Sequence, residues 1–250
     1  MITLVTVTYN AAATIGHTLE SVARQSYQDY EHLIIDGASK DDTVEIARQY
    51  KERDQYHRVV IVSEPDKGLY DAMNKGLRLA KGDFVCFLNA GDKLHSPDTL
   101  KNIAGVICRN SAPIGVIYGH TDIVDDKGIF LRPRRLCPPA VLTWKSFRSG
   151  MLVCHQSFYV NKAIAPQYDL QYRFSADFDW CVRCLKEAEA RKMQNIYLHE
   201  PLCDYLSEGM TTQNHRASLM ERFRIMSHHY GFFNTVMQHL WFVVRSVLKK

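Results

Sequence analysis

The sequence predicts an α/β fold in which a mostly parallel central sheet carries helices on both faces. Three observations predict it. Over the first hundred residues, short apolar runs alternate with segments of helical spacing. The apolar runs are continuous, as in strands buried on both faces. Polar residues gather where those runs end: Thr8-Tyr9-Asn10, Asp36-Gly37-Ala38-Ser39, Glu64-Pro65-Asp66 and Asn89-Ala90-Gly91-Asp92. Open α/β sheets bind ligands outside the carboxyl ends of their strands, so this clustering marks the candidate site.

Taken in order, Leu4–Thr8 is the first strand, and Ile15–Arg24 is a helix carrying Ile15, Leu19, Val22 and Ala23 on one face. His32–Asp36 is the second strand, ending in a carboxylate. Thr43–Tyr50 is a helix, with Asp41 and Asp42 as candidate caps. Val59–Ser63, the helix Leu69–Ala80 and the strand Phe84–Leu88 complete the alternation.

Composition bounds the rest. At 250 residues, 46% hydrophobic and with 8 prolines, the chain has the material for one large α/β domain or two small ones, and no disordered tract is expected. A net charge of +4 fits phosphorylated substrates or an anionic membrane, and equally a solvated basic surface. Nothing resembles a nucleic-acid module. Met1-Ile2-Thr3-Leu4-Val5-Thr6-Val7 reads as a strand rather than a signal peptide, and no apolar run has the length to span a bilayer. The seven scattered cysteines suit a reducing cytosol. Cys181 and Cys184 form a C-x-x-C with no second pair, which reads as structural. The expected location is therefore cytoplasmic, with peripheral contact at the inner face of the membrane as an option.

The first strand-to-helix turn excludes one large class. A dinucleotide-binding fold places G-x-G-x-x-G there, and this chain has Tyr9-Asn10-Ala11-Ala12-Ala13-Thr14. No P-loop is present either, so the ligand is held by side chains and a different loop.

Four runs then carry a family resemblance: Val5 to Asn10, Ile34 to Thr43, Glu64 to Gly76, and Gly82 to Asp92. They resemble glycosyltransferase family 2, and within it the bacterial exopolysaccharide and colanic-acid-type transferases. The likeness resumes at His155-Gln156, at Ser175-Ala176-Asp177-Phe178-Asp179-Trp180 and at Glu208-Gly209-Met210-Thr211, while Ala112 to Met151 is not diagnostic. The resemblance implies one GT-A domain: residues 1–110 as the nucleotide-sugar half, 111–215 as the acceptor and catalytic-base half, and 216–250 as a helical extension.

Sugar transfer from a nucleotide requires a grip on base and ribose, neutralisation of the departing diphosphate, and a base for the acceptor hydroxyl. By resemblance Asp36 meets the uracil imide, with Thr8, Asn10, Asp66 and Asn74 lining the donor cleft. The alternative for Asp36-Gly37 is an ordinary strand-to-helix turn. Asn89-Ala90-Gly91-Asp92 stands in place of an acidic D-x-D motif, with Asn89 and Gly91 departing from it. Asp92 is left as the sole strong ligand for a divalent ion, Mg²⁺ or Mn²⁺. Relatives with a histidine in a Tyr-Arg-x-His context differ from Tyr205-Leu206-Ser207-Glu208 here, and His199 does not align. Asp177 matches the family's general base, with Asp179 as its rival and helix capping as the plain reading of both. His155 and Gln156 face the cleft near the phosphates or acceptor, or His155 is a satisfied buried histidine.

These readings imply an inverting transferase that uses a UDP-sugar, or a GDP- or dTDP-sugar, on a glycan or lipid-linked acceptor. A nucleotidyltransferase would want a glycine-rich phosphate loop that this chain lacks. A non-catalytic nucleotide-sugar-binding protein remains the rival, since Asn89 weakens the acidic motif. Finally, Phe232, Phe233, Val236, Met237, Leu240, Trp241, Val244, Val247 and Leu248 recur at helical spacing, interrupted by Arg245 and followed by Lys249-Lys250. Three occupants fit that stripe: the core, a second copy in a homodimer, or a membrane interface.

Overall fold

The computed structural model describes residues 1–54, 56–207 and 215–248. β1 (Ile2–Thr8) is buried along its whole length, as is β2 (Tyr30–Asp36), because both have helices on either face. Between them α1 (Ile15–Ala23) turns Ile15, Leu19 and Val22 inward. α2 (Thr43–Arg53) leads to β3 (Arg58–Ser63), and α3 (Leu69–Leu79) leads to β4 (Phe84–Phe87). The four strands lie in the order β3-β2-β1-β4, all parallel. Every expected strand and helix of this half is present. α3 sits so close to the sheet that a Cβ on Gly76 would come within 2.3 Å of Val5 Cγ1.

One capping expectation divides. Asp42 is the N-cap residue of α2, but its side chain makes no capping bond. Asp41 does the work instead, accepting from Thr43 N at 3.1 Å and from Ala12 N at 3.0 Å. It therefore ties the second strand-to-helix turn to the first.

β5 (Lys93–Leu94) and α4 (Thr99–Arg109) complete the first half, and the second supplies β6 (Ile114–Val124), β7 (Phe130–Pro133), β8 (Phe158–Asn161), α5 (Ala176–Ala190) and β9 (Gln194–Leu206). They continue the same sheet in the order β4-β8-β6-β9-β5, with β7 on β6. β8 runs antiparallel to both β4 and β6, whereas the long β6–β9 pair is parallel, so most of the ladder is parallel. The halves at 1–110 and 111–215 thus share one continuous sheet.

One face of this sheet is covered by α3, α5 and α6 (His215–Tyr230), and its core draws on both halves. Trp180 is its hub, stacked on Tyr168 at 4.8 Å and meeting Phe87 edge-on at 5.5 Å. Cys181 and Cys184 are buried in this core. The last helix, α7 (Phe232–Leu248), follows Gly231. It packs inward through Thr235 and Phe242 and leaves Phe233, Met237, Leu240 and Trp241 exposed, so these members of the stripe do not dock on the core. The side chains from 243 onward, those of Val244, Arg245, Val247 and Leu248 among them, lie outside the described residues. So do Lys249, Lys250 and the Glu208 to Thr211 run.

Candidate active site

The carboxyl ends of β1 and β2 are stitched into one polar platform. Asn10 takes a left-handed φ of 48°, its N–H donates to Ser39 Oγ at 2.8 Å, and its Oδ1 accepts from Lys40 N at 2.8 Å. Asp36 is almost wholly buried. It accepts from Ser39 N at 3.0 Å, from Ser63 Oγ at 2.6 Å and from Ser39 Oγ. Its carboxylate therefore builds the turn, with one acceptor position of about four left over. Asp66 lies directly over the same turn. A Cβ on Gly37 would sit 2.6 Å from its Oδ2, so any larger residue there would displace the Asp66 carboxylate, whose Oδ1 accepts from Gly68 N at 2.8 Å. Thr8 is buried, and its hydroxyl has no hydrogen-bond partner.

The end of β4 meets the second half. The Asp92 carboxylate is 3% exposed and is held between Gln156 Nε2 at 2.7 Å and Leu206 N at 3.0 Å. Gly91, at φ 103°, gives Leu206 its room, since a Cβ there would meet Leu206 Cδ2 at 2.8 Å. Burial pushes the Asp92 carboxyl up to about 6, even though Leu206 N, Gln156 and His155 pull the other way. Asn89 reaches His155 Nε2 with its Nδ2 at 3.4 Å, and Asn89 Oδ1 is a buried oxygen without a partner.

α5 separates the two candidate bases. Asp177 Oδ2 lies 3.4 Å from His155 Nδ1, and its Oδ1 accepts from Tyr70 OH at 3.2 Å and Phe178 N at 2.9 Å. Burial alone would raise its carboxyl. The hydrogen bond and charge of His155, with Arg222 and Phe178 N behind them, hold it below the ordinary carboxylate value. Asp179 turns away, bonded to Arg183 Nε at 2.6 Å and His229 Nε2 at 2.8 Å, and so fastens α5 to α6. Asn89, Asp92, His155, Gln156 and Asp177 are thus one connected group.

Asn74 has a different task. Both ends of its buried amide are spent on the Tyr168 backbone, at 3.0 and 2.7 Å, pinning that loop to α3. Sequence reasoning missed Glu221 of α6, which accepts the backbone N–H groups of Arg173, Phe174 and Ser175 at 2.7–3.0 Å. No local spacing announces a cap delivered from another helix. Also missed was a trio of His95, Asp122 and Asp204 whose ligand atoms lie within 4.8 Å of one another. It is already knit by His95 Nδ1 to Asp204 at 2.6 Å and by Lys93 Nζ at 3.5 Å from Asp204, and the hydrogen bond that His95 donates to Asp204 raises its imidazole.

The chain is similar to known proteins in sequence and in fold. Residues 3–163 match Glycosyl transferase family 2. A PGL/p-HBAD biosynthesis glycosyltransferase of Mycobacterium bovis is 30% identical over 213 residues, 84% of this chain and 78% of that protein. S. aureus TarS 1–349, solved in complex with UDP-GlcNAc, superposes with a TM-score of 0.69 at 19% identity, over 90% of this chain and 64% of that one. Glucosyl-3-phosphoglycerate synthase of Mycobacterium tuberculosis, solved with Mn²⁺, UDP and its product, superposes with a TM-score of 0.57 at 15% identity, over 89% of this chain and 79% of that one. By the extent of that family match and of the mycobacterial likeness, the chain belongs to glycosyl transferase family 2, and its fold is of the GT-A type.

Proposed function

We propose that the chain is an inverting hexosyl- or N-acetylhexosaminyltransferase that takes its sugar from a UDP-sugar. The acceptor is a hydroxyl of a glycan or lipid-linked glycan in cell-surface polysaccharide synthesis, met at the inner face of the membrane. The observation that carries this reading is the Asp177 carboxylate. It sits in the first turn of α5, kept ionised by His155, which lies 3.4 Å from it and joins it to Asn89. An ionised carboxylate at a helix N-terminus is held in place by the dipole and by Phe178 N.

The chemistry follows from that placement. The acceptor oxygen attacks the anomeric carbon while the bond to the diphosphate breaks, and Asp177 Oδ2 takes the hydroxyl proton. One displacement inverts the carbon and needs no covalent enzyme intermediate. Tyr70 OH fixes the rotamer of Asp177, and His155 bridges it to Asn89 at the donor side. Thr8 Oγ1 and Asn89 Oδ1, buried and unpartnered, are oxygens with bonds to offer a ligand. Asn89 Oδ1 with the Asp92 carboxylate is a hard-oxygen set that suits Mg²⁺ or Mn²⁺, and a carboxylate raised by burial gains from a nearby cation. Such an ion, when bound, offsets the charge that develops on the leaving diphosphate.

Two measurements test the reading. Asp177→Asn is expected to lower transfer by about 10²–10⁴-fold with UDP affinity nearly unchanged. UDP should raise the melting temperature further with Mn²⁺ than without it. Tight UDP-sugar binding with neither transfer nor slow donor hydrolysis would instead mark a binding protein.

A further inference from the structure

We infer that the outward face of α7 is a membrane-binding surface for anionic lipid. The helix is inverted relative to an ordinary terminal helix. Its inward side presents Thr235, fully buried, with Phe242 packed against the core. Its outward side presents Phe233, Met237, Leu240 and Trp241, which are 84%, 66%, 57% and 55% exposed. Their spacing places the four on one face, one above another. Single exposed apolar residues are ordinary, but a contiguous row on one helix face is not. Phe232, at the start of the helix, meets Phe223 of α6 edge-on at 5.9 Å, so the row begins where the two helices join.

Charge selects the occupant. From position 216 onward the sequence has six cations, Arg216, Arg222, Arg224, Arg245, Lys249 and Lys250, against one carboxylate, Glu221, and of the six Arg222 is turned inward onto the Phe178 ring. This stretch alone carries +5, more than the +4 of the whole chain. Glu221 is occupied with the N–H groups ahead of α5. The α7 of a second copy would cover the apolar row but brings no carboxylate of its own to these cations, which stay uncompensated. An anionic lipid surface complements them, and Trp241 suits headgroup depth. No helix among the described residues is long and apolar enough to cross a membrane, so α7 lies in the interface plane.

This proposal deepens the lipid-linked-acceptor reading, and its test requires no turnover, so the two can fail separately. The full-length protein is sedimented with vesicles of equal parts phosphatidylglycerol and phosphatidylcholine, and with vesicles of phosphatidylcholine alone. Binding is expected on the anionic vesicles and should fall steeply with salt. Lys249→Gln and Lys250→Gln should each weaken it about fivefold. Met237→Gln/Trp241→Gln should abolish it while circular dichroism and melting temperature stay those of the parent, as the substituted side chains face out. Three results would overturn the proposal: protein left in the supernatant with both vesicles, binding indifferent to lipid charge, or a dimer by light scattering that the double variant dissolves without any vesicle binding.

Discussion

Asp177 and Asp92 are two carboxylates linked through His155 and Gln156, and their surroundings drive them in opposite directions. His155 holds Asp177 low, while burial lifts Asp92 to about 6. In the function we propose, such a divergence keeps a ready base beside a carboxylate that gains from a cation. For Asp92 the stability consequence has a definite sign. Its folded value lies above the unfolded value of about 3.9, so the fold favours the protonated form. The associated stability is fully present below the unfolded value and is lost as pH rises through about 6. Ionised Asp92 therefore costs the metal-free protein at most about 3 kcal/mol. Asp92→Asn in chelator is expected to melt higher than the parent at pH 8, with the gap closing toward pH 4. A lower melting temperature at pH 8 would show that Gln156 and Leu206 more than compensate the buried charge. Asp179→Asn should behave unlike Asp177→Asn. It breaks the bonds to Arg183 and His229, so its loss should appear as a lower melting temperature, with kcat in the folded protein within about tenfold of the parent. Abolished turnover in a fully folded Asp179→Asn protein would transfer the base role to that residue.

At the scale of elements, α5 begins without a cap of its own. Ser175 makes no side-chain capping bond, and its hydroxyl goes to Ser218 instead. Glu221 of α6 takes up the N–H groups of Arg173, Phe174 and Ser175, immediately before the turn that carries Asp177. Glu221→Ala should therefore cost about 2 kcal/mol of stability. It should also lower kcat more than it changes KM for the donor, because it loosens the turn holding Asp177, the base we propose. Glu221→Gln, which keeps an acceptor oxygen, should recover part of both, and equal losses in the two variants would count against a positioning role. Dependence on a distant helix also explains what the sequence left hidden. The strands β1 to β4 were legible because each is a continuous apolar run, and their polar ends marked Thr8, Asp36, Asn89 and Asp92 without any contact map. β6, β7 and β8 were not read: β6 opens on an apolar run, but no strand–helix alternation frames it, β7 is exposed throughout, and β8 spans only Phe158–Asn161. The roles of Asn74 and Glu221 are set by partners 94 and 46–48 positions away, a distance over which periodicity says nothing.

At the scale of the whole molecule, the site belongs to neither half. Asn89 and Asp92 follow β4 in the first half, and His155, Gln156 and Asp177 come from the second. The core is shared in the same way: Val5, Leu33, Met73 and Phe87 pack in one cluster with Phe158, Phe178 and Trp180. The sheet crosses the boundary through β4 and β8, whose pairing is set by Phe84 against Asn161 and Val85 against Val160. Cut at residue 110, the first half would present β4 as an open edge and expose Phe87 and Met73, both 0% exposed in the intact protein. Unfolding is therefore expected to be one cooperative transition. All three tryptophans, Trp144, Trp180 and Trp241, lie in the second half or the extension, whereas helix content reports on both halves. Urea midpoints from tryptophan fluorescence and far-ultraviolet circular dichroism should coincide, and loss of UDP binding should follow the same curve. A fragment of residues 1–110 should be unfolded or aggregate. If that fragment folds and binds UDP on its own, the nucleotide half is an independent unit and the shared core does not govern the site.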